Sequence, residues 1–192
     1  AATRGKDQLQ VRVERVGQEP PAAPRLVVVQ AVPKGERGEL AVAAMTEVGV
    51  DVVVPWAAER CVVSWRAPER AARGVSRWRR TARESAKQAR RSYLPEVTEL
   101  ADTAPVTGLL AAAAAGVVLH EQAMTSLPGL RLPTVGDIVL VIGPEGGISP
   151  TELAGFATAG AEPVRLGPTV LRSSTAGTAA AAVVLAATGR WA

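Results

Sequence analysis

Short runs of almost uninterrupted apolar residues recur along the chain, and they constrain its fold more than any other feature. The clearest are RLVVVQAV at 25–32, VDVVVPW at 50–56 and DIVLVIG at 137–143. A run of this kind predicts a strand that is buried on both faces, as in a parallel sheet covered by helices. GVVLHE at 116–121 and AEPVRLG at 161–167 predict two further, shorter strands.

Helical patterns separate these strands. Leu40, Ala44 and Val48 are four residues apart, and Gly49 follows them as a helix stop. Further helices are expected at 68–91, near 105–113, at 149–160 and over the alanine-rich segment 175–191. Strands that alternate with helices predict an α/β fold with a largely parallel sheet and helices on both faces.

Two of these helices carry specific signals. Ser149 can cap the helix at 149–160, where Pro150 suits the first turn and Glu152 completes a capping box. In the helix at 68–91, one face is expected to carry Trp78, Ala82, Ala86 and Ala89.

The first residues have a different character. LQVRVERV at 9–16 alternates apolar and polar residues like a half-buried strand, and GQEPPAAP at 17–24 is rich in proline like a linker. One strand cannot fold alone. Residues 1–18 are therefore predicted to be the end of an N-terminal β domain, 19–24 a linker and 25–192 the α/β domain.

Composition limits the chemistry. Hydrophobic residues make up 47% of the 192 residues but only six are aromatic, so the core is expected to consist of Val, Leu, Ile and Ala. A single cysteine, Cys61, and a single histidine argue against an internal disulfide and a metal centre, and both fit a reducing cytoplasm. No targeting segment or membrane-spanning run is expected, since the longest apolar runs are too short and too rich in alanine.

Charge is distributed unevenly. The segment 60–91 contains ten arginines, one lysine and two acidic residues, a net charge of +9, whereas the whole chain has a net charge of +4. A basic block on an otherwise acidic protein favours a polyanionic partner such as RNA, and arginine suits bidentate contact with phosphate. The alternative is a solvated helix face.

Three predicted strands end in segments that suit a ligand site. One ends in His120-Glu121, one in GPEGG at 143–147 and one in LGPTVLRSSTAG at 166–177. The carboxyl ends of parallel strands lie on one side of a sheet, and glycine lets a ligand approach the main chain. Such a pocket suits a flat heterocycle such as adenine. The segment 143–147 is neither a dinucleotide fingerprint nor a P-loop, and a lone Gly-Gly more often makes a tight turn.

The pair IGPEGGIS and LGPTVLRSSTA closely resembles the signature of the bacterial small-subunit rRNA uracil-N3 methyltransferases, which belong to the SPOUT superfamily of S-adenosylmethionine-dependent enzymes. Supporting matches are PKGERGE, TEVGVDVVVP, ERCVVSW and ESAKQARRSYLPEV, so that the resemblance covers about 25–190. Ser174 departs from it, because many relatives carry glutamate there.

This resemblance implies S-adenosylmethionine as cofactor and the N3 atom of a 16S rRNA uridine, within an assembled or nearly assembled small subunit, as target. It also implies a C-terminal trefoil knot, a homodimer, and a PUA-like RNA-binding barrel of which 1–18 would be the remnant. The cofactor pocket would comprise Leu119, His120, Glu121, Ile142, Gly143, Pro144, Glu145, Gly146, Gly147, Leu166, Gly167, Leu171, Arg172, Ser173, Thr175 and Ala176.

The RNA-binding residues expected within the basic segment 60–91 are Arg60, Arg77, Arg80, Arg83, Gln88, Arg90 and Arg91. Methylation of uracil N3 requires loss of its proton and stabilisation of the resulting anion, which a cationic side chain can provide. Arg91 is predicted to contact the target uridine or its phosphate and to be the catalytic cation, with a generic phosphate contact as the alternative.

Several residues admit a plainer interpretation. Glu145 could cap the helix at 149 instead of facing the site, His120 could form only a local hydrogen bond, and Cys61 is expected to be a packed thiol. For the whole chain, the alternatives to a methyltransferase are a non-catalytic RNA-binding or ribosome-assembly module on the same fold, and a small-molecule enzyme with a nucleotide cofactor. Intact glycine loops argue against the first alternative, and the basic block argues against the second.

Overall fold

A computed structural model describes residues 2–4 and 9–191 of the chain. Its strands are β1 (Ala2–Arg4), β2 (Leu9–Val11), β3 (Arg25–Ala31), β4 (Val52–Trp56), β5 (Glu96–Val97), β6 (Ala115–Leu119), β7 (Asp137–Ile142) and β8 (Glu162–Val164). Its α-helices are α1 (Arg37–Val48), α2 (Pro68–Gln88), α3 (Thr103–Ala112), α4 (Pro150–Thr158) and α5 (Ser173–Ala187), with a 3-10 turn at Leu127–Gly129.

Six strands form one sheet in the order β5-β4-β3-β7-β6-β8, and every neighbouring pair is parallel. The predicted parallel α/β architecture is therefore confirmed. β3 and β7 lie at the centre, in register from Arg25 opposite Asp137 to Gln30 opposite Ile142. Both strands are buried almost throughout because helices cover the two faces of the sheet.

Side chains alternate across the sheet and divide the core in two. On one face Leu26 and Val28 of β3 pack in a cluster with residues of α1, α2 and α5. On the other face Val27 and Val29 pack in a cluster with residues of α3 and α4, where Trp56 and Phe156 meet edge to face with ring centroids 5.4 Å apart.

The strand predicted near the N-terminus is wrong in its bounds. The strand expected at 9–16 ends at Val11, and residues 12–22 have no regular structure. β2 pairs with β1 in an antiparallel ladder, a partner that the pattern did not reveal because β1 has only three residues. Residues 5–8, within the predicted N-terminal domain, lie outside the described residues.

Helix ends differ from prediction by a few residues. α2 ends at Gln88, so that Ala89 lies past its last turn and is exposed, whereas Trp78, Ala82 and Ala86 are buried as expected. α5 begins at Ser173 rather than at Thr175. Gly49 does end α1, in the left-handed region at φ 112°, where glycine carries no steric cost.

A partly buried ionic cluster connects the end of the domain to the amino-terminal edge of the sheet. Asp51 accepts hydrogen bonds from the backbone N–H of Leu26 at 2.8 Å and from the guanidinium of Arg190 at 2.5 Å. Arg190 also donates to the carbonyl oxygens of Pro24 and Gly49. The cluster therefore joins β3, the residues before β4 and the segment after α5.

Across the described residues, none of the helices combines the length and apolar character that crossing a membrane requires.

Candidate functional site

A cavity of about 860 Å³ opens at the carboxyl ends of β6, β7 and β8. Its walls are the three strand-end segments that the sequence singled out. All predicted cofactor-binding residues except Thr175 line it. The other lining residues are Arg37, Arg60, Gln122, Ile148, Pro150, Leu153, Arg165, Pro168, Thr169 and Val170.

The three glycines of the 143–147 loop are needed for three different reasons. A Cβ on Gly143 would lie 2.8 Å from Cγ1 of Ile148. A Cβ on Gly146 would lie 3.0 Å from the carbonyl oxygen of Arg60. Gly147 has a φ of 74°, in the left-handed region, and its backbone N–H donates to the carbonyl of Pro144 to close a turn. The glycines thus allow the loop to fold tightly on itself and against Arg60, as well as leaving its main chain close to the cavity.

Glu145 does not cap the helix that follows this loop. Ser149 Oγ accepts from the N–H of Glu152 and the Glu152 carboxylate accepts from the N–H of Ser149, so the predicted capping box is confirmed and complete without Glu145. The carboxylate of Glu145 lies in the cavity wall, 3.6 Å from the guanidinium of Arg37.

Glu152 does more than cap. Its Oε1 accepts from the N–H of Glu59 at 2.8 Å and from the hydroxyl of Thr103 at 3.1 Å. The side chain is buried, with 5% of the residue exposed. A single carboxylate therefore joins the starts of α4 and α3 to the loop that carries Arg60 to the cavity.

Replacing Glu152 by glutamine is expected to lower the free energy of unfolding by about 2 kcal/mol, because an amide N–H₂ would face the N–H of Ser149. Urea unfolding measures this change. Glu162→Gln, on an exposed carboxylate of β8, is the matched control and should be nearly neutral. Equal effects of the two substitutions would refute the joining role.

The third wall runs from Leu166 into the first turn of α5. Leu166 packs partly against the core, whereas Leu171 remains 37% exposed. Ser173 Oγ donates to the carbonyl of Gly143 at 2.9 Å and so connects this wall to the glycine loop. Thr175 is exposed and does not line the cavity, and neither does Ser174.

Cations surround the cavity. Arg37, Arg60, Arg165 and Arg172 line it, against the carboxylates of Glu121 and Glu145. Arg60 reaches the loop itself, where its guanidinium donates to the carbonyl of Gly146 at 3.4 Å. Sequence reasoning did not identify Arg37 or Arg165 as cavity residues, although both lie in segments that it had singled out, PKGERGE and AEPVRLG.

The structure does not bring Arg91 to the cavity of its own chain. Its guanidinium lies 3.5 Å from Asp51 and donates to the carbonyls of Thr46 and Val50. Burial lowers the pKa of Arg91 from its ordinary value, and the charge of Asp51 opposes that shift. Asp51 marks the amino-terminal edge of the sheet, and a strand of six residues such as β7 separates this edge from the cavity by about 20 Å. The sequence could not reveal this location of Arg91, because the ion pair with Asp51 forms only in the folded chain.

The remaining predicted RNA-binding residues lie on or beside α2. Arg77 pairs with Glu39 at 2.9 Å, whereas Arg80 and Arg83 are exposed and form no ion pair within the described residues. Gln88 and Arg90 are also exposed at the end of the helix. Trp78 anchors the opposite face in the core, so the arginine-rich face is free to meet solvent or a polyanion.

The two candidate reactive side chains have local partners. Nδ1 of His120 accepts a hydrogen bond from the N–H of Gln122 at 3.3 Å. Cys61 is partly buried against the core, and its thiol lies 3.8 Å from the carbonyl of Trp56. Burial raises the pKa of the Cys61 thiol, and the nearby carboxylates of Glu145 and Glu152 raise it further.

Cys61 is expected to react slowly with iodoacetamide. A raised pKa lowers the thiolate fraction at pH 8, and burial restricts access, so alkylation should be roughly tenfold slower than in the urea-unfolded chain. Mass spectrometry of timed samples measures the two rates. Equal rates would contradict a packed, protonated thiol.

Comparison with known proteins identifies relatives of the whole domain. A family model described as an RNA methyltransferase domain matches residues 20–185. The Ribosomal RNA small subunit methyltransferase E of Mycobacterium bovis is 44% identical over 191 residues, which cover 97% of this chain and 72% of that protein.

Two solved structures extend the likeness to the fold. A protein of Legionella pneumophila, solved with S-adenosylmethionine bound, superposes with a TM-score of 0.83 at 31% identity, covering 95% of this chain and 75% of that one. The Ribosomal RNA small subunit methyltransferase E of Neisseria gonorrhoeae, also bound to S-adenosylmethionine, has a TM-score of 0.75 at 27% identity, with coverages of 86% and 68%.

Proposed function

The chain belongs to the RNA methyltransferase family, and we propose that it transfers a methyl group from S-adenosylmethionine to N3 of a uridine in the 16S rRNA of the small ribosomal subunit. The observation that carries the proposal is the cavity, which three strand-end segments build together from glycine-rich main chain. The named relatives act on small-subunit rRNA and two similar structures bind the cofactor, which favours this function over a non-catalytic module or a small-molecule enzyme.

The cavity fits such a cofactor in size and chemistry. Its volume of about 860 Å³ lies within the range of small-molecule sites, about 300–1,000 Å³. Leu166 and Leu171 would offer apolar surface to an adenine ring, and the backbone near Gly143 and Gly147 would meet the ribose and the amino-acid part. Glu145 and Arg37 add one charge of each sign at the same wall.

Bound S-adenosylmethionine supplies a methyl group on a sulfonium, already a strong electrophile. The protein must align the uracil and stabilise the anion that forms when N3 loses its proton. Four arginines of this chain line the cavity: Arg37, Arg60, Arg165 and Arg172. We propose that anion stabilisation within one chain comes from this group. The catalytic role predicted for Arg91 would require a site contributed by a second subunit.

RNA would reach the cavity along the basic face of α2. Arg80 and Arg83 are exposed there, and Arg60 lies both in the basic block and in the cavity wall. A phosphate backbone held by these side chains would place a nearby base at the cavity. Affinity for rRNA should then fall steeply with salt concentration, because each contact releases counterions.

Three finer features of the proposal concern the path of the chain, its oligomeric state and its N-terminal strands. We propose that α5 passes through the connection between β6 and β7 as part of a trefoil knot; its contact with the turn at Leu127–Gly129 supports this path. We also propose a homodimer, and a PUA-like barrel to which β1 and β2 belong, since these two strands form an antiparallel sheet separate from the parallel one. An rRNA substrate in an assembled or nearly assembled small subunit implies a cytoplasmic enzyme.

The first test is calorimetric titration of the chain with S-adenosylmethionine and, separately, with ATP. Selective binding of S-adenosylmethionine is expected. Small ribosomal subunits from cells lacking the modification would then be incubated with the protein and radiolabelled cofactor, and the rRNA digested to nucleosides. Label in 3-methyluridine supports the proposal. Label in another nucleoside, or binding of neither ligand, would overturn it.

A further inference from the structure

Gln30 is a polar residue at the buried centre of the sheet. It is the sixth residue of β3 and pairs in register with Ile142, the last residue of β7 before the glycine loop. Along β3 the side chains of Leu26 and Val28 face α1 and α5, and the same alternation points Gln30 to that side. Its exposed fraction is zero. A buried amide among the apolar neighbours that precede and follow it in β3 needs an explanation.

Its hydrogen bonds supply one. The Gln30 amide nitrogen donates to Ser173 Oγ at 2.9 Å and to the carbonyl of Ala31 at 3.1 Å. Ser173 Oγ in turn donates its proton to the carbonyl of Gly143 at 2.9 Å. Because the serine proton is already used, its oxygen must accept from Gln30, and this fixes the direction of the chain of bonds.

Close packing holds the amide in place. A Cβ on Gly177 of α5 would lie 3.2 Å from Oε1 of Gln30, so the absence of a side chain there lets the helix approach the strand. That oxygen has no hydrogen-bond partner within the described residues. Burial of an acceptor without a partner lowers the stability of the fold. The position therefore keeps a glutamine at a cost in stability, and its amide nitrogen donates to Ser173.

We infer that Gln30 is a positioning residue of the cofactor site, which acts through Ser173 to hold the glycine loop and the start of α5 at a fixed separation. Gly143 and Ser173 belong to different walls of the cavity, since Gly143 follows β7 and Ser173 lies beyond β8. Gln30 itself does not line the cavity. The inference rests on the proposed function, because the proposed function assigns the cavity to S-adenosylmethionine.

The decisive variant is Gln30→Met, which has similar length but no donor. We expect about tenfold weaker binding of S-adenosylmethionine by calorimetry, as for loss of one buried hydrogen bond. Ser173→Ala should weaken binding by a similar factor. The double variant should lose about the same tenfold rather than a hundredfold, because both changes break one relay.

A control matched for burial and polarity lies on the same face of the sheet. Thr46 of α1 is equally buried, and its hydroxyl has no partner within the described residues. Thr46→Val should leave cofactor affinity unchanged. In methyl-transfer assays Gln30→Met should raise KM for the cofactor about tenfold and change kcat less than about twofold, since ordering of the walls acts on binding.

Hydrogen exchange separates the failure of this inference from failure of the proposed function. In the ligand-free protein, Gln30→Met should speed exchange at 143–149 and 173–177 but not in α3. Faster exchange together with a wild-type protein that does not bind S-adenosylmethionine would overturn the proposed function and the cofactor role of Gln30, leaving only a structural link. Unchanged exchange and unchanged affinity, or lower stability with neither change, would overturn the inference.

Discussion

Replacing Gly146 by valine is expected to weaken S-adenosylmethionine binding about a hundredfold while leaving the protein folded. The physical reason is the close contact between the loop and the main chain of Arg60. A Cβ at this position would lie 3.0 Å from the carbonyl oxygen and 3.1 Å from Cβ of Arg60, and valine adds two methyl groups to that contact. The loop must then move away from Arg60, which displaces the main chain that forms this part of the cavity wall. Calorimetric titration measures the affinity.

Two other glycines make this test specific. Gly155 lies in α4 with nothing near an added Cβ, so Gly155→Ala should leave affinity unchanged. Gly167 also has open space beside it but lines the cavity, so Gly167→Ala reports direct contact with the ligand. Unaltered affinity of the Gly146→Val protein would show that this loop does not form a wall of the cofactor site.

Replacing Asp51 by alanine is expected to lower the free energy of unfolding by about 3–4 kcal/mol, the largest effect on stability among these variants. The substitution removes the partner of Arg190 and Arg91, whose side chains are only 10% and 14% exposed, and of the Leu26 N–H. Two guanidinium groups would be left partly buried without a counter-charge.

Urea unfolding followed by circular dichroism measures the loss. Glu96→Ala is the control, because Glu96 is 64% exposed and lies 3.8 Å from Arg25 in a surface ion pair. That variant should lose less than about 0.5 kcal/mol. A similar small loss for Asp51→Ala would mean that the cluster is not a stabilising feature of the domain.

Prediction from the sequence was most successful where one physical requirement dominated. β3, β4 and β7 were predictable because a strand covered on both faces must be apolar throughout. The capping box of α4 was predictable because Ser149 and Glu152 satisfy each other locally. β5 escaped prediction because two residues carry no periodicity, and its pairing with β4 depends on tertiary contacts.

The walls of the cavity were predictable from the sequence, whereas the location of Arg91 and the role of Gln30 were not. Strand-end logic and the family resemblance together located all three walls of the cavity, while Arg91 was assigned a role in the site from its position in a basic block. A local pattern cannot show that Asp51, forty residues earlier, holds that guanidinium at the other edge of the sheet. Gln30 was overlooked for the opposite reason, because a single polar residue was absorbed into an apolar run.

The relay from Gln30 to Gly143 has a consequence for the order in which the protein can mature. Its middle member, Ser173, begins the last helix of the domain, so during synthesis Gln30 and Gly143 leave the ribosome before the residue that joins them. A nascent chain that ends before α5 would lack the serine that links the third wall of the cavity to the glycine loop. Cofactor binding should therefore appear only after synthesis of α5, and bound cofactor should in turn favour retention of that helix against unfolding.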